Sequence, residues 1–164
     1  MARHRYTVYN AATAALTAAP TFVATGTSLK TMLQIKPTTN IAIIGWGFAF
    51  DVLPTAPVKT ELITTGTVNA TVTAYNSGDV VKWDDAGGVG SAISLGTSAS
   101  GFTSSAEGSV TASRLLDLYS GSEQSYRIQY PLDREPGVQA NDFLRIRMTT
   151  ATTINALCWV TFEE

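Results

Sequence analysis

From Leu29 onward, large apolar residues come only in short runs, alternating with polar ones and punctuated by Gly, Pro, Asn and Asp. A period of two is the pattern of half-buried strands, whereas a helix repeats its apolar face every 3.6 residues. The expected fold is therefore all-β: an antiparallel β-sandwich or jelly roll, preceded by an extended N-terminal arm. The arm is assigned to residues 1–20 and a single β-sandwich domain to residues 21–164. Within the arm, the stretch NAATAALTAA carries one large apolar residue, Leu16, so a helix there has little to pack, and Pro20 ends it.

The expected strands are residues 29–35, closed by Pro37, then 40–50, 58–65 and 67–75 around Gly66, 80–83, 124–130, 143–148 and 157–162. In the second, Ile44, Trp46, Phe48 and Phe50 alternate with Ile41, Ile43, Gly45 and Gly47. Two alternate glycines leave one face flat, which signals either a bend or bulge, or the close approach of another group. Residues 84–108 are rich in Gly and Ser and poor in large side chains, and read as one long loop with a weak strand over 92–95. Loops of that length bind something or order against a partner. No fixed-period repeat and no domain boundary is visible.

With 164 residues the chain is long enough to bury one core. Charged residues make up 15%, against roughly 25% in ordinary soluble domains, and Thr, Ala, Ser and Gly fill the deficit. Eleven basic residues stand against thirteen acidic ones, with no cationic cluster; nucleic acid is not an expected partner. One His and one Cys cannot form a His/Cys zinc site, a Cys–His pair or an internal disulfide. The longest apolar run, residues 41–50, falls far short of the roughly 20 residues of a membrane-spanning helix. The N-terminal stretch lacks the apolar core of a secretory signal, so synthesis in a cytosol is expected, which leaves open release by other routes such as lysis.

Few residues suggest chemistry. Asp84 and Asp85 beside Gly87 and Gly88 lack further carboxylates at alternate positions and read as a solvated turn rather than a calcium loop. Glu61 alternates with Lys59 onto an exposed face, and no carboxylate pair suits glycoside hydrolysis. Cys158, inside NALCWVTF, reads as a small buried group. No catalytic residue, metal or cofactor is expected. The candidates are contact residues: Arg3, Arg5 and Tyr6 in the arm, Trp83 at the mouth of the long loop, and the charged trio Asp133, Arg134 and Glu135, which stands between two prolines and has Arg145 and Arg147 as further pairing choices.

The C-terminal stretch SYRIQYPLDREPGVQANDFLRIRMTTATTINALCWVTFEE resembles a family of small virion proteins of tailed phages that infect actinobacteria. The family shares an IQYPLGREP-like turn, a following arginine-bearing strand and a closing strand ending in FEE. AALTAA, IIGWGFAFD and PVKTELITTG agree in order, whereas residues 76–113 depart from the pattern. The resemblance implies a non-enzymatic capsid decoration protein on the outer surface of the virion. Its implied partners are the major capsid protein and copies of itself, as a homotrimer. Arm and long loop are then the expected contacts, and loss of the first 20 residues is expected to abolish capsid binding. The competing expectations are a phage tail or head-fibre protein, a carbohydrate-binding β-sandwich using Trp83, and a glycan hydrolase.

Overall fold

A computed structural model describes residues 4–83, 90–108 and 111–164. Thirteen strands build it: β1 (Arg5–Tyr9), β2 (Val23–Ala24), β3 (Lys30–Ile35), β4 (Ile41–Phe50), β5 (Val58–Thr64), β6 (Thr71–Ala74), β7 (Val81–Lys82), β8 (Gly101–Ala106), β9 (Arg114–Gly121), β10 (Ser125–Gln129), β11 (Gly137–Val138), β12 (Leu144–Thr149) and β13 (Asn155–Glu163). One 3₁₀ turn, Ser77–Asp79, interrupts them. The fold is a β-sandwich. Its first sheet runs β10-β4-β13-β1-β7, with β11 on β4 and β2 on β13, and its second runs β6-β8-β3-β12-β5-β9. Every strand pairing is antiparallel.

The alternation read from the sequence supplies the core between the sheets. Trp46, Phe48 and Val160 meet Leu33, Leu62, Leu144, Ile146 and Met148, all without solvent exposure. In β4 the alternation changes phase. Thr161 faces Gly45 and the next residue, Phe162, faces Ile43, so Ile44 is an extra residue in β4. This bulge turns Ile41 and Ile43 to the core before it, and Trp46, Phe48 and Phe50 after it.

Two expectations need correction. Residues 1–20 are not an extended arm: Arg5–Tyr9 is an interior strand, paired with β13 on one side and β7 on the other. Tyr6 is a core residue, stacked on Phe162 at 5.7 Å, and not a contact residue. Five residues with only Tyr6 and Val8 turned to the core make too short a run to read as a strand without its partners. Deleting residues 1–20 therefore removes a central strand and tests folding rather than binding. Residues 10–19 carry no strand but are pinned: the buried Asp79 carboxylate accepts from the Thr13 and Ala14 amides at 2.6 and 2.9 Å and from the Asn76 amide at 2.8 Å.

The expected long loop is also divided. Residues 101–106 form β8, between β6 and β3, while Pro37 and Ile93, and Leu95 and Ser100, form only isolated bridges. Arg3 and the Asp84–Asp85 pair lie outside the described residues.

Candidate functional site

Two surfaces carry side chains that the core does not use. The first is the outer face of the seven-stranded sheet, whose layout follows from register. One row across it reads Arg127, Gly47, Trp159, Tyr9; the next reads Gln129, Gly45, Thr161, Thr7, Val81. Trp83 then follows β7 beside Arg5, its amide donating to the Arg5 carbonyl at 3.0 Å. Of these, Arg5, Gly45, Trp83, Arg127, Gln129, Trp159 and Thr161 line a shallow cleft of about 70 Å³.

The two strand glycines explain the cleft's floor. A Cβ on Gly47 would stand 2.5 Å from the Tyr126 carbonyl oxygen and 2.6 Å from the Trp159 ring; one on Gly45 would stand 2.6 Å from the Ile128 carbonyl oxygen. The flat face thus admits the Trp159 indole, and the bulge lies beside it at Ile44, so both readings of this strand are realised. Trp83 is 60% exposed, yet its Nε1–H donates to Thr7 Oγ1 at 2.8 Å, and Thr7 Oγ1 shares a second 2.8 Å bond with Thr161 Oγ1. A solvent-facing indole held in this way loses little freedom when something stacks on it. Arg5 pairs with Glu163 at 3.0 Å, whereas Arg127 is exposed with no ion-pair partner among the described residues.

The second surface lies on the six-stranded sheet, where β9 is the last strand. β9 carries its own bulge: Leu62 faces Asp117 and Ile63 faces Leu115, leaving Leu116 extra. Asp117 and Tyr119 consequently face the core, while Leu115 and Leu118 are exposed beside Ile63 and Glu61. The turn after β10 is tied to this strand at both ends. Tyr130 donates its hydroxyl to Asp117 at 3.4 Å, and Arg114 donates to the Gly137 carbonyl at 3.2 Å. Leu132 at 77% exposure and the trio Asp133, Arg134 and Glu135 are thereby held alongside β9. Asp133 has φ +65, which gives the turn its tightness.

Asp117 Oδ2 also accepts from Trp46 Nε1 at 3.0 Å and from the Tyr126 hydroxyl at 3.1 Å, clasping the two sheets at this edge. Burial first and the Asp117 carboxylate second push Tyr130 up to about 12, and the same two causes raise Tyr126. The folded chain therefore holds these protons more tightly than the unfolded chain does. Stability is fully present below the ordinary tyrosine value of 10.0 and is lost as pH rises toward about 12. Urea midpoints measured from pH 7 upward are expected to stay level to about pH 9, where the buried Cys158 thiol begins to tell, and to fall more steeply above about 10 as the tyrosines join. Combining Tyr126→Phe with Tyr130→Phe flattens part of that fall; the buried Tyr75 and Cys158, raised in the same direction, remain.

Sequence reasoning selected Arg5, Trp83 and the Asp133–Arg134–Glu135 trio, and the structure places them on two surfaces rather than one. It missed Trp159, Arg127 and Gln129, whose shared face depends on the pairing of β13 with β4 and of β4 with β10. It also missed Leu115, Leu118 and Leu132. Arg145 and Arg147 are not partners of the trio: Arg145 lies 3.8 Å from Glu107 and Arg147 lies 2.8 Å from Glu61. Cys158 is fully buried, and burial raises its thiol pKa. No cluster of three or more metal-ligating side chains occurs among the described residues, and no helix among them is long and apolar enough to cross a membrane. Family models, curated proteins and solved structures were all compared with the chain, and none matches it.

Proposed function

We propose that the chain is a non-enzymatic structural protein of a virion, bound as a decoration protein to the outside of a tailed-phage capsid and contacting further copies of itself as a trimer. The observation that carries this reading is the β9 surface. It combines an open strand edge, the exposed Leu115, Leu118 and Leu132, and a charged turn, which is the composition of an interface with an apolar centre and a polar rim. The turn is also one of the segments that carry the resemblance to phage virion proteins. A neutral, hydroxyl-rich exterior supports the reading, because a lattice contact of roughly 1,200–2,000 Å² then forms with little charge desolvation. The described carboxylates Glu61, Asp79, Glu107, Asp117 and Glu163 are engaged in ion pairs or hydrogen bonds that hold the fold.

Sedimentation of the purified chain with capsid shells that lack it tests the proposal. Saturable binding at a multiple of the lattice sites is expected, with three copies per site for trimers. Combining Leu118→Asp with Leu132→Asp should cut binding by at least tenfold while leaving the thermal midpoint within a few degrees, since both side chains are already solvated. Binding unaffected by that pair would move the contact away from β9.

A further inference from the structure

We propose that the outer face of the seven-stranded sheet is a binding platform for an acidic oligosaccharide, with the Trp83 and Trp159 indoles receiving sugar rings and Arg127 receiving a uronate carboxylate. The inference goes beyond the proposed attachment to a capsid and does not depend on it.

Shape argues for an extended ligand. A cleft of about 70 Å³ is too small to enclose even one drug-sized molecule, whose pockets run to several hundred Å³, so a ligand lies across this face rather than inside it. The two indoles belong to β13 and to the end of β7, with β1 between them and the Thr161–Thr7 pair separating their rows. A ligand that touches both spans about two strand spacings, on the order of 10 Å, which is more than one ring.

Chemistry argues for a saccharide. The C–H face of a pyranose is apolar and slightly positive, and an indole face is apolar and negative, so the two stack. Trp83 is built for that contact, because its N–H is already satisfied by Thr7 and its ring is left to solvent. Gln129, exposed on β10, has both a donor and an acceptor for ring hydroxyls. Gly47 lets the Trp159 indole lie close against the sheet, where its ring is half-exposed.

Charge argues for an acidic one. The chain as a whole is net negative at −2, yet among the described residues the cleft lining holds two arginines and no carboxylate. Arg5 is committed to Glu163. Arg127 is not so committed, and its planar fork matches a carboxylate with two parallel hydrogen bonds.

The test is a titration of the full chain with a hyaluronan tetrasaccharide, which alternates glucuronate and N-acetylglucosamine, followed by tryptophan fluorescence and by indole N–H shifts in NMR. Saturable changes at Trp83 and Trp159 are expected. Trp83→Ala should weaken binding about tenfold, and Arg127→Gln several-fold, with far-ultraviolet circular dichroism unchanged in both. Chitotetraose, which has rings but no carboxylate, should bind the native chain several-fold more weakly, and no more weakly still to Arg127→Gln. A flat titration with the tetrasaccharide overturns the proposal. So does equal affinity in Trp83→Ala, equal affinity for chitotetraose, or tighter saturation by a thymidine oligonucleotide, which offers rings and anionic charge of another class.

Discussion

Replacing Glu107 with alanine should lower the free energy of unfolding by about 3–5 kcal/mol, because it strands a buried cation. The Arg145 side chain has no solvent exposure, and its nearest carboxylate is Glu107, at 3.8 Å. Burial lowers the Arg145 pKa and the Glu107 charge works against that shift, although a guanidinium stays protonated throughout. Two carbonyls, of Glu107 at 3.1 Å and Val68 at 2.5 Å, satisfy part of it. The same carboxylate accepts from the Thr31 amide and hydroxyl, both at 2.5 Å, and from Ser104, so its loss also leaves β3 and β8 with unmet donors. Total stabilities of about 5–15 kcal/mol are usual for domains, which would leave the variant marginal. The check is the urea midpoint at neutral pH. Adding Arg145→Met should recover much of the loss, since the costly element is the unpaired charge; a Glu107→Ala midpoint near the native one would mean that the carbonyls alone hold Arg145.

Asp79→Ala should cost about 3–4 kcal/mol by a different route. No charge pair is broken here. Three backbone N–H groups, of Thr13, Ala14 and Asn76, lose a buried ionised acceptor, and charge-assisted bonds of this kind are the stronger class. Local consequences separate this variant from Glu107→Ala. Hydrogen exchange at the Thr13 and Ala14 amides should accelerate beyond the global change, because residues 10–19 have no strand to fall back on. Asp79→Asn should recover only part of the stability: one oxygen still accepts, but the amide NH₂ now opposes another donor. Unchanged protection at Thr13 and Ala14 would show that this segment is held by packing instead.

The sheet-building half of the fold was legible because it is written in period two. β3, β4, β5, β10, β12 and β13 were all recognised within one to two residues, since each carries large apolar residues on its inner face. β8 was not legible: GFTSSA has one large side chain, and its place is set by β6 and β3 on either side. β9 was missed because the bulge at Leu116 spoils the alternation of RLLDLYSG. β1 was missed for its brevity, and the arm reading followed from that omission. The candidate surfaces divide in the same way. Trp83 could be picked out by its polar neighbours along the chain, whereas Trp159 looks like core until β13 is laid against Gly47. Period-two reasoning finds inner faces; the outer faces are made by pairings between residues as far apart as Arg5 and Glu163.

That last pairing has a consequence for how the molecule is made. β13 lies between β4 and β1 and is the partner of β2, so the seven-stranded sheet is three unjoined pieces until β13 is available. The six-stranded sheet needs nothing after Thr149 and can assemble first. On the ribosome, a chain stopped before β13 keeps the inner faces of β1 and β4 uncovered, and such exposed apolar strands aggregate or are degraded. Completion of the sandwich therefore waits for β13 to be made, and the long sequence separations make that step slow. Polypeptides that stop before β13 never assemble the outer face of the seven-stranded sheet, so that face exists only on molecules that carry the whole sandwich.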